Sequence, residues 1–283
     1  GGGTIIDLTK GLSVLYKNSA SAIAYRGFNK FQNLPIPIIS IPTTSGTGSE
    51  ITPNASFIDQ RSKKKLGING DGIQPIFSIL DPELTVSCPI FSTISSGLDS
   101  MVHATEAFVA KKTNPLAQVF AKEGYQIVLK YLPLVANDLD NKLYREKIMY
   151  GAFLSAIALM HSGTGPAAAM SYPLEVFFKI PHGIAGAIFL PYVIEYNISK
   201  NFYSYFGLNK SNLETNHKKG AMQFLIELKR TLKKLKISKV SKNIIFNDQL
   251  FESFLNDTLE LKSALDQNPV RFGKEEVINI LNK

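Results

Sequence analysis

The chain has one cysteine, Cys88, so it cannot form an internal disulfide, and a reducing cytoplasm is the expected compartment. It has no uninterrupted apolar run of membrane-spanning length, since even the stretch 151–160 stops at His161. A signal-peptide pattern, internal repeats and low-complexity tracts beyond short glycine and lysine clusters are also missing. Charged residues make up only 19% against 45% hydrophobic, a globular and not a disordered composition. Membrane, secreted and fibrous classes are therefore not expected, and the 283 residues suffice for two ordinary domains.

The charge that is present is unevenly placed. The formal net charge is +8, and from Ile198 onward 15 basic and 9 acidic residues account for +6 of it. A basic balance suits a nucleic-acid partner. Between Lys229 and Lys242, however, the basic residues alternate with Leu232, Leu235, Ile237 and Val240. That pattern predicts a surface helix with a lysine-rich outer face, and no nucleic-acid partner is expected.

Glycines 1 to 3 lead into an apolar pattern from Thr4 to Leu12 that predicts a helix. Residues 35–42 (PIPIISIP) are β-branched and bounded by prolines, a strand signal, and they open into a small polar loop, Thr43 to Glu50. Short strands are predicted at 57–59, 65–68 and 77–82. After Cys88 the texture becomes helical, over 93–110, 115–131, 142–160 and 183–196 and then to the end. The expected division is therefore an α/β piece, 1–87, and an all-helical piece, 88–283. Cys88 itself reads as packing at the junction, because no basic neighbour activates it.

Asp99 and His103 are four apart in a helical segment, so both emerge on one face and suit a shared divalent cation. An Asp capping backbone amides beside an unrelated His reads equally from the same spacing. His182, between Pro181 and Gly183, starts an apolar helix, and with the other two makes a two-histidine, one-carboxylate set. Glu106 follows His103 by three and is expected to accept from that ring, or to be a plain polar helix position. His217 reads as exposed.

Read in order, these stretches resemble the iron-containing (group III) alcohol dehydrogenase family. The resemblance runs through Gly1–Asp7 (GGGTIID), Ile41–Glu50 (IPTTSGTGSE), Asp81–Thr85 (DPELT), Gly97–Glu106 (GLDSMVHATE) and Pro181-His182-Gly183. It implies a partial Rossmann-like α/β nucleotide-binding domain followed by an all-helical domain, a dehydroquinate synthase-like architecture. It also implies NAD or NADP, Fe2+ or Zn2+, a small alcohol or aldehyde substrate, and a homodimer by analogy. The family pattern has opening strands before the glycine turn, and an upstream part of the sheet is expected to be absent from this chain.

Position by position, the resemblance puts Gly2, Gly3, Thr4 and Asp7 at the cofactor turn, and Thr43, Thr44 and Thr47 on the cofactor from the loop. Lys65 matches the position reaching the nicotinamide-side ribose, or is simply solvated within its lysine cluster. Asp99, His103 and His182 match three metal ligands. The usual fourth ligand and a further active-site histidine fall on Ala168 and Tyr172, and alanine ligates nothing. That leaves a three-ligand site, a site rescued by another residue such as His161, or no metal site. Tyr172 would donate its hydroxyl in proton relay, or be a core aromatic. The expected function is an NAD(P)-dependent oxidoreductase interconverting a small alcohol and its carbonyl, with a degenerate, non-catalytic relative as the alternative.

Overall fold

The computed structural model describes residues 1–210, 216–241 and 244–283. Helix α1 (Gly3–Lys17) starts at Gly2, whose extended backbone caps it without a side-chain bond, and it buries Ile6 and Val14. The strand expected across 35–42 contracts to β2 (Ile39–Ser40), because Pro35, Pro37 and Pro42 lack the N–H that a ladder requires. Strand β2 pairs in parallel with β5 (Phe77–Ser78). Strands β3 (Asn54–Asp59) and β4 (Lys64–Asn69) pair antiparallel, and β1 (Gly27–Phe28), which the sequence pattern does not announce, runs parallel to β4. The α/β region is thus two small sheets, of order β1-β4-β3 and β2-β5.

The chain passes from this region to the helical one around Cys88, which is free and buried. The buried Arg145 guanidinium ties the passage, donating to Thr93 Oγ1 at 2.9 Å and to the Val86 and Cys88 carbonyls at 3.2 and 3.1 Å. Helix α2 (Ile90–Val109) then runs through the middle and is buried on all faces from Ser96 onward, as expected of a helix with neighbours on every side. Helices α3 (Pro115–Val135) and α4 (Lys142–Met160) pack on it, each begun by an asparagine whose side chain accepts a first-turn amide, Asn114 from Ala117 and Asn141 from Tyr144.

Helix α5 (Pro166–Phe178) is not apparent from the sequence, since Pro173 lies inside it and removes the N–H that would bond one turn back. It ends at Lys179, in the left-handed region at φ 55°. Helix α6 (His182–Ser199) follows at once. The lysine-rich stretch is not one helix: Lys236, at φ 61°, separates α7 (His217–Lys234) from α8 (Ile237–Ser241). Its lysines are exposed over buried Leu232, Leu235 and Ile237, and Lys242 lies outside the described residues. Helices α9 (Asp248–Glu260), α10 (Lys262–Leu265) and α11 (Lys274–Leu281) complete the fold. Among the described residues no helix is long and apolar enough to cross a membrane.

Candidate functional site

Two glycines bring the site together on α2. A Cβ at Gly183 would lie 1.9 Å from the Ser95 carbonyl oxygen, and one at Gly46 1.7 Å from that of Ser96. Only glycine allows backbone to approach backbone this closely. The start of α6 and the 43–50 loop therefore press on adjacent residues of α2, Ser95 and Ser96, one turn before Asp99 and two before His103. The same loop meets α1, where a Cβ at Gly3 would lie 2.8 Å from the Thr47 side chain and one at Gly2 3.0 Å from Thr44.

Asp99 and His103 share a face of α2, with Oδ1 3.4 Å from Nε2, and His182 brings its Nε2 to 3.9 Å from the same oxygen. The three residues expected to act together do meet. Burial holds His103 below the ordinary histidine value; Asp99 opposes this, while His182 and Lys65 add to it. Its Nδ1 is buried without a hydrogen-bond partner, although the Gly46 carbonyl acts on the ring. An uncharged imidazole results.

Helix α5 supplies the opposite wall. Ser171 Oγ donates to the Ala168 carbonyl at 2.6 Å, so toward His182 Nδ1, at 2.9 Å, it accepts. Nδ1 therefore carries a proton, which also faces Glu175 Oε2 at 3.3 Å, and Nε2 is turned toward Asp99. The same Glu175 oxygen accepts from Lys65 Nζ at 2.7 Å. Lys65 Nζ lies 4.8 Å from the Tyr172 ring centre, and that ring meets His182 edge-on at 5.0 Å. Burial works to raise the Glu175 carboxyl, but the His182 hydrogen bond and the Lys65 charge outweigh it and bring it down to about 2. Burial works to lower Lys65, and Glu175, then Tyr172 and Asp99, outweigh it and hold the ammonium above its ordinary value. Glu175 and Ser171 escape notice in the sequence. Their spacing from Ala168 and Tyr172, at i+3, i+4 and i+7, marks one helical face only once α5 is known.

These groups open on a cleft of about 1080 Å³. Asp99, His103, His182, Tyr172 and Lys65 line it, as do Ala168 and Glu175. From the other end Gly3, Thr4, Asp7 and Thr47 line it too. Gly2, Thr43 and Thr44 do not. The Thr43 amide is bonded to the Gly1 carbonyl at 3.1 Å, and Thr44 borders a separate small cavity beside Cys88 and Arg145. Asp7 faces the cleft with both oxygens already engaged, Oδ1 by Ser49 Oγ at 2.6 Å and Oδ2 by the Ser56 amide at 2.8 Å. His161 ends α4, and the His217 ring stacks on Phe206 at 3.9 Å.

The start of α1 fits a phosphate: no side chain caps its first-turn amides, no acidic residue occupies that turn, and Gly3 and Thr4 face the cleft. A divalent metal does not fit the side chains as they stand. Among the described residues no group of three or more His, Cys, Asp or Glu is arranged to hold one, and Ala168 presents only a methyl group. Glu106, expected to serve the His103 ring, turns away from it. Its carboxylate accepts from the Gly165 and Ala167 amides at 2.7 Å each and from that of Ala168 at 3.3 Å, closing the start of α5. Burial raises this carboxyl to about 7 against those three hydrogen bonds.

Known proteins resemble this chain over both of its regions. Residues 93–283 match the Fe-containing alcohol dehydrogenase family, C-terminal part, and residues 1–82 match iron-containing alcohol dehydrogenase. The chain is 34% identical over 199 residues to an NAD-dependent methanol dehydrogenase of Bacillus methanolicus, a match covering 70% of this chain and 52% of that protein. It is 30% identical over 279 residues to long-chain-alcohol dehydrogenase 1 of Geobacillus thermodenitrificans, covering 95% of this chain and 70% of that one. The crystal structure of sulfoacetaldehyde reductase from Bifidobacterium kashiwanohense in complex with NAD+ superposes with a TM-score of 0.83 at 25% identity, covering 100% of this chain and 74% of the other. The chain spans about half the length of the first of these relatives. With both its α/β start and its helical remainder matched in order, the chain belongs to the iron-containing alcohol dehydrogenase family.

Proposed function

We propose that the chain forms the cofactor and substrate cleft of an NAD(P)-dependent oxidoreductase that interconverts a small alcohol and its aldehyde or ketone. The observation that carries this reading is one continuous cleft, with an uncapped helix start at one end and Asp99, His103, His182, Tyr172 and Lys65 at the other. NAD(P), held at the first amides of α1, would supply the hydride acceptor for the carbinol carbon, the hydroxyl proton passing to water; in the reverse direction its reduced form would supply the hydride that reduces the carbonyl.

The residues of this chain bind and orient. The first amides of α1 receive the pyrophosphate, and Thr47 fixes the loop against Gly3. Asp7 holds that loop and β3 in register through Ser49 and Ser56 and leaves direct cofactor contact to its neighbours. Tyr172, which lines the cleft from α5, would donate its hydroxyl to the substrate oxygen, and the apolar side chains of Leu159 and Met160 limit water. The boundary near residue 87 separates the cofactor part from the substrate part. A reducing cytoplasm suits a lone buried thiol, and a homodimer is the assembly to look for by sedimentation.

Titration of the chain with NADH and NADPH, beside turnover of short primary alcohols, tests this reading. Binding of one nucleotide is expected. Gly3→Val, which drives a side chain into Thr47, should weaken it by about tenfold or more (about 1.4 kcal/mol). A chain that binds neither nucleotide would rule the proposal out.

A further inference from the structure

Lys65 reaches from β4 into the corner where Asp99, His103 and His182 meet, and it arrives charged. Its side chain is 11% exposed, and Nζ is fixed by Glu175 Oε2 at 2.7 Å and by the face of Tyr172 at 4.8 Å. Glu175 also faces His182 Nδ1 at 3.3 Å, so one carboxylate ties the ammonium to the imidazole. The Asp99 carboxylate attracts the ammonium, and the field of the ammonium reaches His103. In the same wall Ala168 offers no lone pair. A nitrogen ligand missing and a fixed cation present both make the corner a poor host for a second positive charge.

We propose that Lys65, clamped by Glu175, is the resident cation of this site: it faces the oxygen of the alcohol or carbonyl substrate, and the chain holds no divalent metal there. The proposal rests on the oxidoreductase reading of the cleft. An ammonium has three N–H donors, and with one on Glu175 and one against the Tyr172 ring, one is left for substrate oxygen. As hydride arrives at a carbonyl carbon, negative charge grows on its oxygen, and a fixed donor in a buried corner stabilises that charge without having to move. The oxygen takes its proton from water, and Lys65 keeps its own. In the oxidative direction the hydroxyl proton leaves to water as hydride departs. Lys65 is then a catalytic residue and Glu175 a positioning residue.

The test is elemental analysis of the full chain, purified without chelator from iron- and zinc-supplemented medium, with thermal melts in added Zn2+ or Fe2+ and NADH binding measured in parallel. The parent should carry no stoichiometric metal, show no metal-dependent shift, and bind NADH. Lys65→Met removes the competing charge and should gain a Zn2+-dependent rise of about 5 °C, whereas Lys65→Arg should gain none. Stoichiometric metal in a parent that binds NADH would overturn this inference and spare the oxidoreductase reading. Loss of NADH binding in the parent would overturn both. Failure of a folded Lys65→Met, verified by circular dichroism, to respond to zinc would show that the ammonium is not what excludes the metal. If that variant does not fold, the metal content of the parent decides the question.

Discussion

In the helical region the buried apolar side chains run without interruption from Leu98 to Ile280. In the α/β region the separate core consists, among the described residues, of Val14, Tyr25, Ala55, Ile68 and Ile73. The outer face of α1 leaves Ile5, Leu8, Leu12 and Tyr16 in solvent, Tyr16 at 76% exposure. The smaller region compensates with charged side chains bonded to backbone. Lys10, fully buried, donates to the Thr52 and Asn54 carbonyls at 2.8 and 2.7 Å, and Asp7 holds Ser49 and Ser56. Packing organises one region and polar struts the other. The second arrangement places a loop accurately but depends on a few irreplaceable bonds.

The strongest way to break this contrast is to remove one element of each kind. Lys10→Met leaves two carbonyls unsatisfied and the neighbouring Asp7 and Glu50 uncompensated, an expected loss of about 3–5 kcal/mol. Phe224→Ala, taken from the aromatic cluster with Tyr125 and Tyr205, should cost about the same by cavity formation. Hydrogen exchange distinguishes them: Lys10→Met should expose α1 and β3 while α2 stays protected, and Phe224→Ala should lower protection across α2, α3 and α7. A Lys10→Met protein within about 1 kcal/mol of the parent in urea would dismiss the strut account.

The contact between the regions comes next in size. Gly46→Ala forces a Cβ onto the Ser96 carbonyl and should cost about 2–3 kcal/mol, shifting the urea midpoint and lifting the 43–50 loop from α2. Unchanged stability would mean that the loop does not rest on α2 in solution.

The smallest effect concerns Glu106 and has a pH signature. Its folded value, about 7, lies above the ordinary 4.5, so its contribution is complete below about 4.5 and is lost as pH rises through about 7. Glu106→Gln should flatten the stability profile across that window and cost about 1–3 kcal/mol at low pH, because an amide accepts fewer of the three backbone hydrogen bonds. Urea melts from pH 4.5 to 8 measure both, and a profile as steep in the variant as in the parent would reject the assignment.

The long helices are legible because their apolar residues recur with helical period. The Asp99 and His103 pairing was legible for the same reason, since four residues on a helix is a distance in space. Helix α5 was hidden by Pro173 and by an alanine run without amphipathic contrast, and Glu175 and Ser171 were hidden with it. The bridge from Glu106 to the start of α5 is not legible, because spacing within one helix cannot show that a side chain reaches the next. The short extent of β2 is not legible either, because β-branched residues signal a strand even where flanking prolines prevent its ladder.

Glu106 also gives the cleft a direction. The Glu106 carboxyl lies against the first amides of α5 and charges as pH rises through about 7, whereas the first amides of α1 have no such companion. On the proposed function, a dinucleotide entering the cleft would find the amides of α5 already occupied and those of α1 bare, an asymmetry that favours its phosphates at the glycine turn.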